Sequence, residues 1–209
     1  MIDVRRGRFI SLEGVDGAGK STHALWLAEA LRARGMNVVV TREPGGTLLG
    51  EALRDLVLSQ PMSHMTEALL MFAARREHVE QVIAPALARG DWVLCDRFTD
   101  ATYAYQGGGH RVPVAFIEDL ARLVHVDCNP DLTLLFDVPT SVSRERLARA
   151  EREGRELDKF EREAQAFFER VRGAYLARAR AEPARFRIVD ATRALPDVRA
   201  ELEAIVATL

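Results

Sequence analysis

The sequence predicts an α/β fold in three layers, a five-stranded parallel sheet with helices on both faces. Three observations predict it. Five short apolar runs alternate with helical stretches. A glycine-rich turn joins the first run to the first helix, and four of the runs close on a carboxylate: Glu13, Asp96, Asp137 and Asp190. Open parallel sheets take their ligands at that carboxyl edge.

In chain order, Arg8 to Glu13 alternates apolar and polar residues and reads as a strand. Ser21 to Arg34 carries Ala24, Leu25, Leu27, Ala28 and Leu31 at helical spacing, and Gly35 stops it. Asn37 to Thr41 is continuously apolar, as expected of a strand covered on both faces. Pro44-Gly45-Gly46 opens a loop, followed by helices over 49–58 and 66–88. Trp92 to Cys95 is the third strand, and Gly107-Gly108-Gly109 reads as a flexible loop. An amphipathic helix runs from Pro113 to Val126, and Leu132 to Phe136 is the fourth strand. Arg144 to Arg180 is helical with a break near Gly154, Phe186 to Val189 is the fifth strand, and a last helix covers 195–208. With no repeat, low-complexity tract or linker, residues 1–209 read as a single domain.

Composition is that of a soluble globular protein: 48% hydrophobic and 29% charged residues in a 209-residue chain. A formal net charge of -2 gives no general basic field for nucleic acid. Arg5, Arg6 and Arg8 precede no apolar stretch of signal-peptide length, and no run is long enough to span a membrane. Cys95 and Cys128 lack metal or disulfide spacing and read as reduced thiols, so the expected compartment is the cytoplasm. His23, His64, His78, His110 and His125 form no metal or catalytic set in the sequence.

Gly14-Val15-Asp16-Gly17-Ala18-Gly19-Lys20-Ser21 matches the phosphate-binding pattern G-x-x-x-x-G-K-[ST] in its required context, after a strand and before a helix. Glycines let the backbone N–H groups turn inward around phosphates, and the helix N-terminus adds positive field. Lys20 reaches β- and γ-phosphate oxygens, Ser21 offers a hydroxyl to Mg²⁺, and Thr22 completes the segment. The loop alone specifies a P-loop NTPase fold and a nucleoside triphosphate such as ATP, not an activity. A guanine-nucleotide switch would carry Asn-Lys-x-Asp, and the chain has none. Arginines near the sheet edge favour a kinase with a second pocket for a phosphorylated acceptor.

Four further segments follow in order: Thr41-Arg42-Glu43-Pro44-Gly45-Gly46-Thr47, Phe72-Ala73-Ala74-Arg75, Asp96-Arg97-Phe98 and Ala104-Tyr105-Gln106-Gly107-Gly108-Gly109. With the phosphate loop they resemble the bacterial thymidylate kinases, from the first strand to Asp190-Ala191-Thr192. The resemblance implies transfer of the γ-phosphoryl group of ATP to dTMP, with Mg²⁺ and in a homodimer. It implies that Arg54 and Arg97 bind the acceptor phosphate, Arg97 lying near both phosphoryl groups. Asp16 would take the acceptor 3′-hydroxyl, and Asp96 would hold Mg²⁺ through water. Glu43, Thr102 and Gln106 would line the acceptor pocket, Tyr105 would pack on the deoxyribose, and Arg75 would donate to a thymine carbonyl. The family's stacking aromatic lies four positions before that arginine, where this chain has Met71. Phe72, three before it, is expected to cover the base, with Met71 as the rival.

The segment 144–157 resembles the family's lid. Family members place a catalytic arginine either in the phosphate loop or on the lid, and position 17 here is glycine. The resemblance therefore implies that Arg149, Arg152 or Arg155 stabilises the transferring phosphoryl group, without choosing among them. The rivals are a related kinase for a nucleoside or for dCMP or UMP, and a nucleotide switch with no acceptor.

Overall fold

The computed structural model describes residues 6–125 and 127–209; Arg5 and Val126, named above, lie outside them. Five parallel strands form one sheet in the order β2-β3-β1-β4-β5: β1 (Phe9–Glu13), β2 (Val38–Arg42), β3 (Trp92–Asp96), β4 (Leu132–Asp137) and β5 (Phe186–Asp190). The first strand is central, flanked by β3 with Ile10 opposite Leu94 and by β4 with Leu12 opposite Leu134. Side chains alternate across the sheet. Ile10, Leu12, Leu134 and Phe136 meet Leu27 and Leu31 of α1 (Lys20–Ala33) and Val198 and Leu202 of α9 (Leu195–Val206). On the other face Phe9, Val93 and Cys95 meet Val79, Ile83 and Leu87, and α8 (Gln165–Ala181) buries Tyr175 beside Glu13.

Four details differ from the sequence reading. The Asn37–Thr41 run was expected to be covered on both faces, but β2 is an edge strand and its valines are only half-buried. The expected single helix over 66–88 is α3 (His64–His78), a π-helical turn (Val79–Ile83) and α4 (Ala84–Ala88). Pro85 lacks an N–H and cannot join an α ladder, which accounts for the widened turn before it. The expected break at Gly154 is wider: α7 runs Thr140–Arg152 and α8 starts only at Gln165.

The fourth difference bears on the site. Gly107-Gly108-Gly109 is no flexible loop but the end of a buried π-helical turn, Tyr103–Gly109, that continues α5 (Thr99–Thr102). Here the glycines serve close approach. A Cβ on Gly108 would lie 2.5 Å from Cβ of Ala174, and one on Gly109 would lie 2.4 Å from the Phe167 ring. Both neighbours belong to α8, so the bare backbone lets the helix carrying Tyr105 and Gln106 press against it. The remaining helices are α2 (Leu48–Ser59), packed on α3, and α6 (Val114–His125).

Candidate active site

At the carboxyl edge of β1 the chain turns through Gly14–Gly19 into α1. Gly17 has φ 73°, and a Cβ there would lie 2.9 Å from the Ser143 carbonyl oxygen of α7, so neither conformation nor space admits a larger residue. Val15 and Ala18 point into the core and offer only backbone. Lys20 Nζ donates to the carbonyls of Gly14 (3.1 Å) and Val15 (3.0 Å). Burial, then the Arg97 charge, depresses its pKa. Ser21 Oγ donates to Asp96 Oδ2 at 2.6 Å, so two hard oxygens adjoin at the base of the loop. Of the four strand-end carboxylates, Asp96 alone lines this cleft. Glu13 is buried, accepting from Phe98 N and Tyr175 Oη. Asp137 takes a two-pronged Arg172 (2.7 and 2.8 Å), and Asp190 caps Thr192.

Arg97 occupies the centre. Its backbone sits at φ 71°, a costly left-handed conformation for an arginine and one that concentrates at functional sites. Its guanidinium donates to Gly14 O (2.9 Å), Tyr175 Oη (3.1 Å), Asp16 Oδ1 (2.5 Å) and Tyr105 Oη (2.9 Å). Tyr105 Oη donates in turn to Asp16 Oδ2 at 2.7 Å. Burial works to raise the Asp16 pKa, but the charges of Arg97 and Lys20 and the hydrogen bonds outweigh it and hold the carboxylate below its usual range.

Two clefts meet at this group. The polar one, about 900 Å³, is bounded by Asp16, Gly17, Gly19, Lys20, Ser21, Thr22, Asp96 and Arg97, by Arg42, Glu43 and Arg54, and by Arg155, Asp158 and Glu161. The second, about 630 Å³, shares Asp16, Glu43, Arg54, Arg97 and Asp158, and runs on past Leu58, Met71, Arg75, Phe98, Thr102, Tyr105, Gln106 and Phe160. Arg54, whose Nη1 donates to Pro44 O at 3.1 Å, therefore stands at the junction.

Deep in the second cleft Arg75 is 2% exposed. Its Nε donates to Glu43 Oε2 (2.7 Å) and its Nη2 to Thr102 Oγ1 (3.2 Å), while Nη1 has no partner among the described residues. A buried donor left unpaired costs roughly 1–3 kcal/mol unless a ligand or water meets it. Glu43 also pairs with His78 Nδ1 at 2.9 Å. Burial would raise its pKa, yet Arg75 and His78 together lower it.

The family model of thymidylate kinase matches residues 12–202. The chain belongs to the thymidylate kinase family. The thymidylate kinase of Bordetella pertussis (strain Tohama I) is 61% identical over 204 residues, 98% of this chain and 96% of that protein. That of Cupriavidus metallidurans is 61% identical over 204 residues, 98% and 100% of the two chains. The crystal structure of thymidylate kinase from Ehrlichia chaffeensis matches with TM-score 0.76 and 35% identity, over 96% of this chain and 99% of that one.

Against what the thymidylate kinase resemblance implied, most named residues gather at the two clefts; besides Gly14, Val15 and Ala18, whose side chains or backbone lie behind the loop, two groups do not. Phe72 does not line the second cleft. It is 1% exposed, packs with Tyr103, Val112 and Ile117, and supports the Arg75 guanidinium from 4.7 Å. Met71 takes the lining position, because four residues of helix bring it closer to the face of Arg75 than three do. On the lid, Arg149 and Arg152 are exposed on α7 and line neither cleft, whereas Arg155 does. Past it, Asp158 and Glu161 form a reciprocal turn: Asp158 Oδ1 accepts from Glu161 N (3.0 Å) and Glu161 Oε2 from Asp158 N (3.0 Å). Glu161 Oε1 also accepts from Arg155 Nη2 at 2.6 Å.

Several site residues escaped the sequence reading. Asp158 and Phe160 line the second cleft; their signal was the Asp-x-x-Glu spacing of a capping box. Arg146 bridges Gly17 O (3.1 Å) and Ala191 O (2.9 Å), tying α7 to the phosphate loop. Tyr175 had no local signal, lying on α8 far along the chain.

Proposed function

We propose that this enzyme transfers the γ-phosphoryl group of Mg-ATP to the 5′-phosphate of dTMP, releasing ADP and dTDP. The observation that carries the reading is the junction of the two clefts at Asp16, Arg54 and Arg97, with the unpaired Arg75 Nη1 in the second. Gly14 to Thr22 take the triphosphate, with Lys20 on its terminal oxygens. Arg54 and Arg97 hold the acceptor phosphate, and Asp16 and Tyr105 meet the deoxyribose. Arg75 donates Nη1 to a thymine carbonyl, between Thr102, Gln106 and Met71, and Glu43 keeps that arginine in place.

The adjoining oxygens of Ser21 and Asp96 are the donor type Mg²⁺ requires, so the site fits the ion. When bound it neutralises phosphate charge. The chain's own part is to align the two phosphates, exclude water with the turn after α7, and place Arg155 against developing charge. Transfer is direct and in line, without a covalent enzyme intermediate.

No helix among the described residues is long and apolar enough to cross a membrane, and we assign the protein to the cytoplasm. Leu48, Leu49 and Leu56 of α2 and Leu69 of α3 are exposed on neighbouring helices, which supports a homodimer through that face.

The test is ADP release from Mg-ATP with dTMP, dCMP, UMP and thymidine as separate acceptors. Turnover with dTMP should exceed the others by about tenfold or more. Equal turnover without an acceptor, or preference for another monophosphate, overturns the assignment.

A further inference from the structure

No histidine was given a role from sequence, yet folding brings two of them against a buried carboxylate. His64 opens α3 and Glu67 follows at i+3, so both lie on one helix face. His110 arrives from the end of the π-helical turn after α5. One donor atom from each of the three lies within 4.8 Å of the other two, and His110 Nε2 is 3.9 Å from Glu67 Oε1. The imidazoles stack in parallel, 3.8 Å between centroids, an arrangement that disfavours charge on both rings.

We propose that His64, Glu67 and His110 form a binding site for a borderline divalent transition-metal ion, Zn²⁺ being the reference case. Two imidazole nitrogens and one carboxylate oxygen are a Zn²⁺ donor set, and water completes the shell. Mg²⁺ prefers oxygen ligands and its own water, so this site is chemically distinct from Ser21 and Asp96. Glu67 is buried, His110 half-buried and His64 exposed; stacked rings cannot both aim a lone pair at one ion, so ligation requires the His64 side chain to rotate.

Glu67 already has a cation partner, Lys159, with Nζ 2.7 Å from Oε2. Its other oxygen accepts from Gln106 Nε2 at 2.7 Å. A metal ion between His110 and Glu67 would take Oε1 in place of the Gln106 hydrogen bond, and the Lys159 charge on Oε2 would oppose it. Lys159 belongs to the turn that carries Asp158 and Phe160 into the second cleft, so repulsion from a bound ion would loosen the tie between that turn and α3.

Calorimetric titration of the purified full chain with ZnCl₂, in excess MgCl₂ and without nucleotide, tests the site independently of the phosphotransfer reading. One Zn²⁺ per chain with micromolar affinity is expected. His64→Ala and His110→Gln should each weaken it by about tenfold or more. Lys159→Ala should tighten it several-fold by removing the opposing charge, a gain that misfolding cannot mimic. No one-to-one isotherm in the unaltered chain overturns the proposal, as does affinity unchanged in both histidine variants or unimproved by Lys159→Ala.

Discussion

Four groups accept from the Arg97 guanidinium, and together they tie the end of β3 to the phosphate loop, the π-helical turn after α5, and α8. One of them, Tyr175, also donates to Glu13 Oε2 at 2.8 Å. Burial, and then the nearby Asp100 charge, raises the Glu13 pKa to about 8. A carboxyl raised above its unfolded value near 4.5 holds its proton more tightly in the native state, so stability is greatest below that value. It declines as pH rises through the window up to about 8. Urea midpoints measured across this range should fall in the unaltered protein and fall less in Glu13→Gln, which keeps an acceptor for Phe98 N. Parallel pH profiles for the two proteins would refute the raised pKa. At the lid, Arg155→Ala should lower kcat on the order of 10²–10³-fold with little change in KM for dTMP. Arg149→Ala and Arg152→Ala should stay within a few-fold of the parent. Steady-state kinetics on the three variants decide whether Arg155 is the lid arginine.

Among the elements, the π-helical turn Tyr103–Gly109 most clearly exceeds what local pattern reveals. Three consecutive glycines suggest a mobile loop when only propensity is considered. Burial against α8 reverses that reading, since Gly108 and Gly109 have no room for a methyl group. Gly109→Ala should therefore destabilise the fold by roughly 1–3 kcal/mol by overpacking, measured by urea denaturation. Because Tyr105 and Gln106 sit on the same turn, its KM for dTMP should rise as well. A neutral effect on both quantities would show that the turn is as mobile as its composition suggests. The strands were more legible. Each was read to within one residue of its observed ends, because buried parallel strands are short, continuous apolar runs. Edge position was not readable for β2, since Val38-Val39-Val40 has the same composition in a central strand or an outer one.

At the scale of the molecule, the sheet order β2-β3-β1-β4-β5 brings the ends of β1 and β3 side by side, with Leu12 opposite Asp96. Asp96 and Arg97 thereby reach the phosphate loop although β2 intervenes in sequence and 83 positions separate Arg97 from Gly14. The exposed leucines of α2 and α3 lead to a prediction at this scale. Light scattering at micromolar concentration should return twice the 23.3 kDa chain mass. Leu56→Glu, placing a charge on that face, should shift the mass toward the monomer; a monomeric parent would remove the face from consideration.

By itself the sequence determined the layer architecture, the phosphate loop and the residue types of a two-substrate phosphotransferase. These are written in local spacing: a strand, a turn of glycines, then a helix. Tertiary structure decided which side chains face a cleft. It turned Phe72 inward and left Met71 at the cleft, and singled out Arg155 among the lid arginines as the one lining a cleft. It also joined Glu13 to Tyr175 across the sheet face. The reason is geometric. Helical spacing defines which residues share a face, but only the packing of distant elements determines what that face meets.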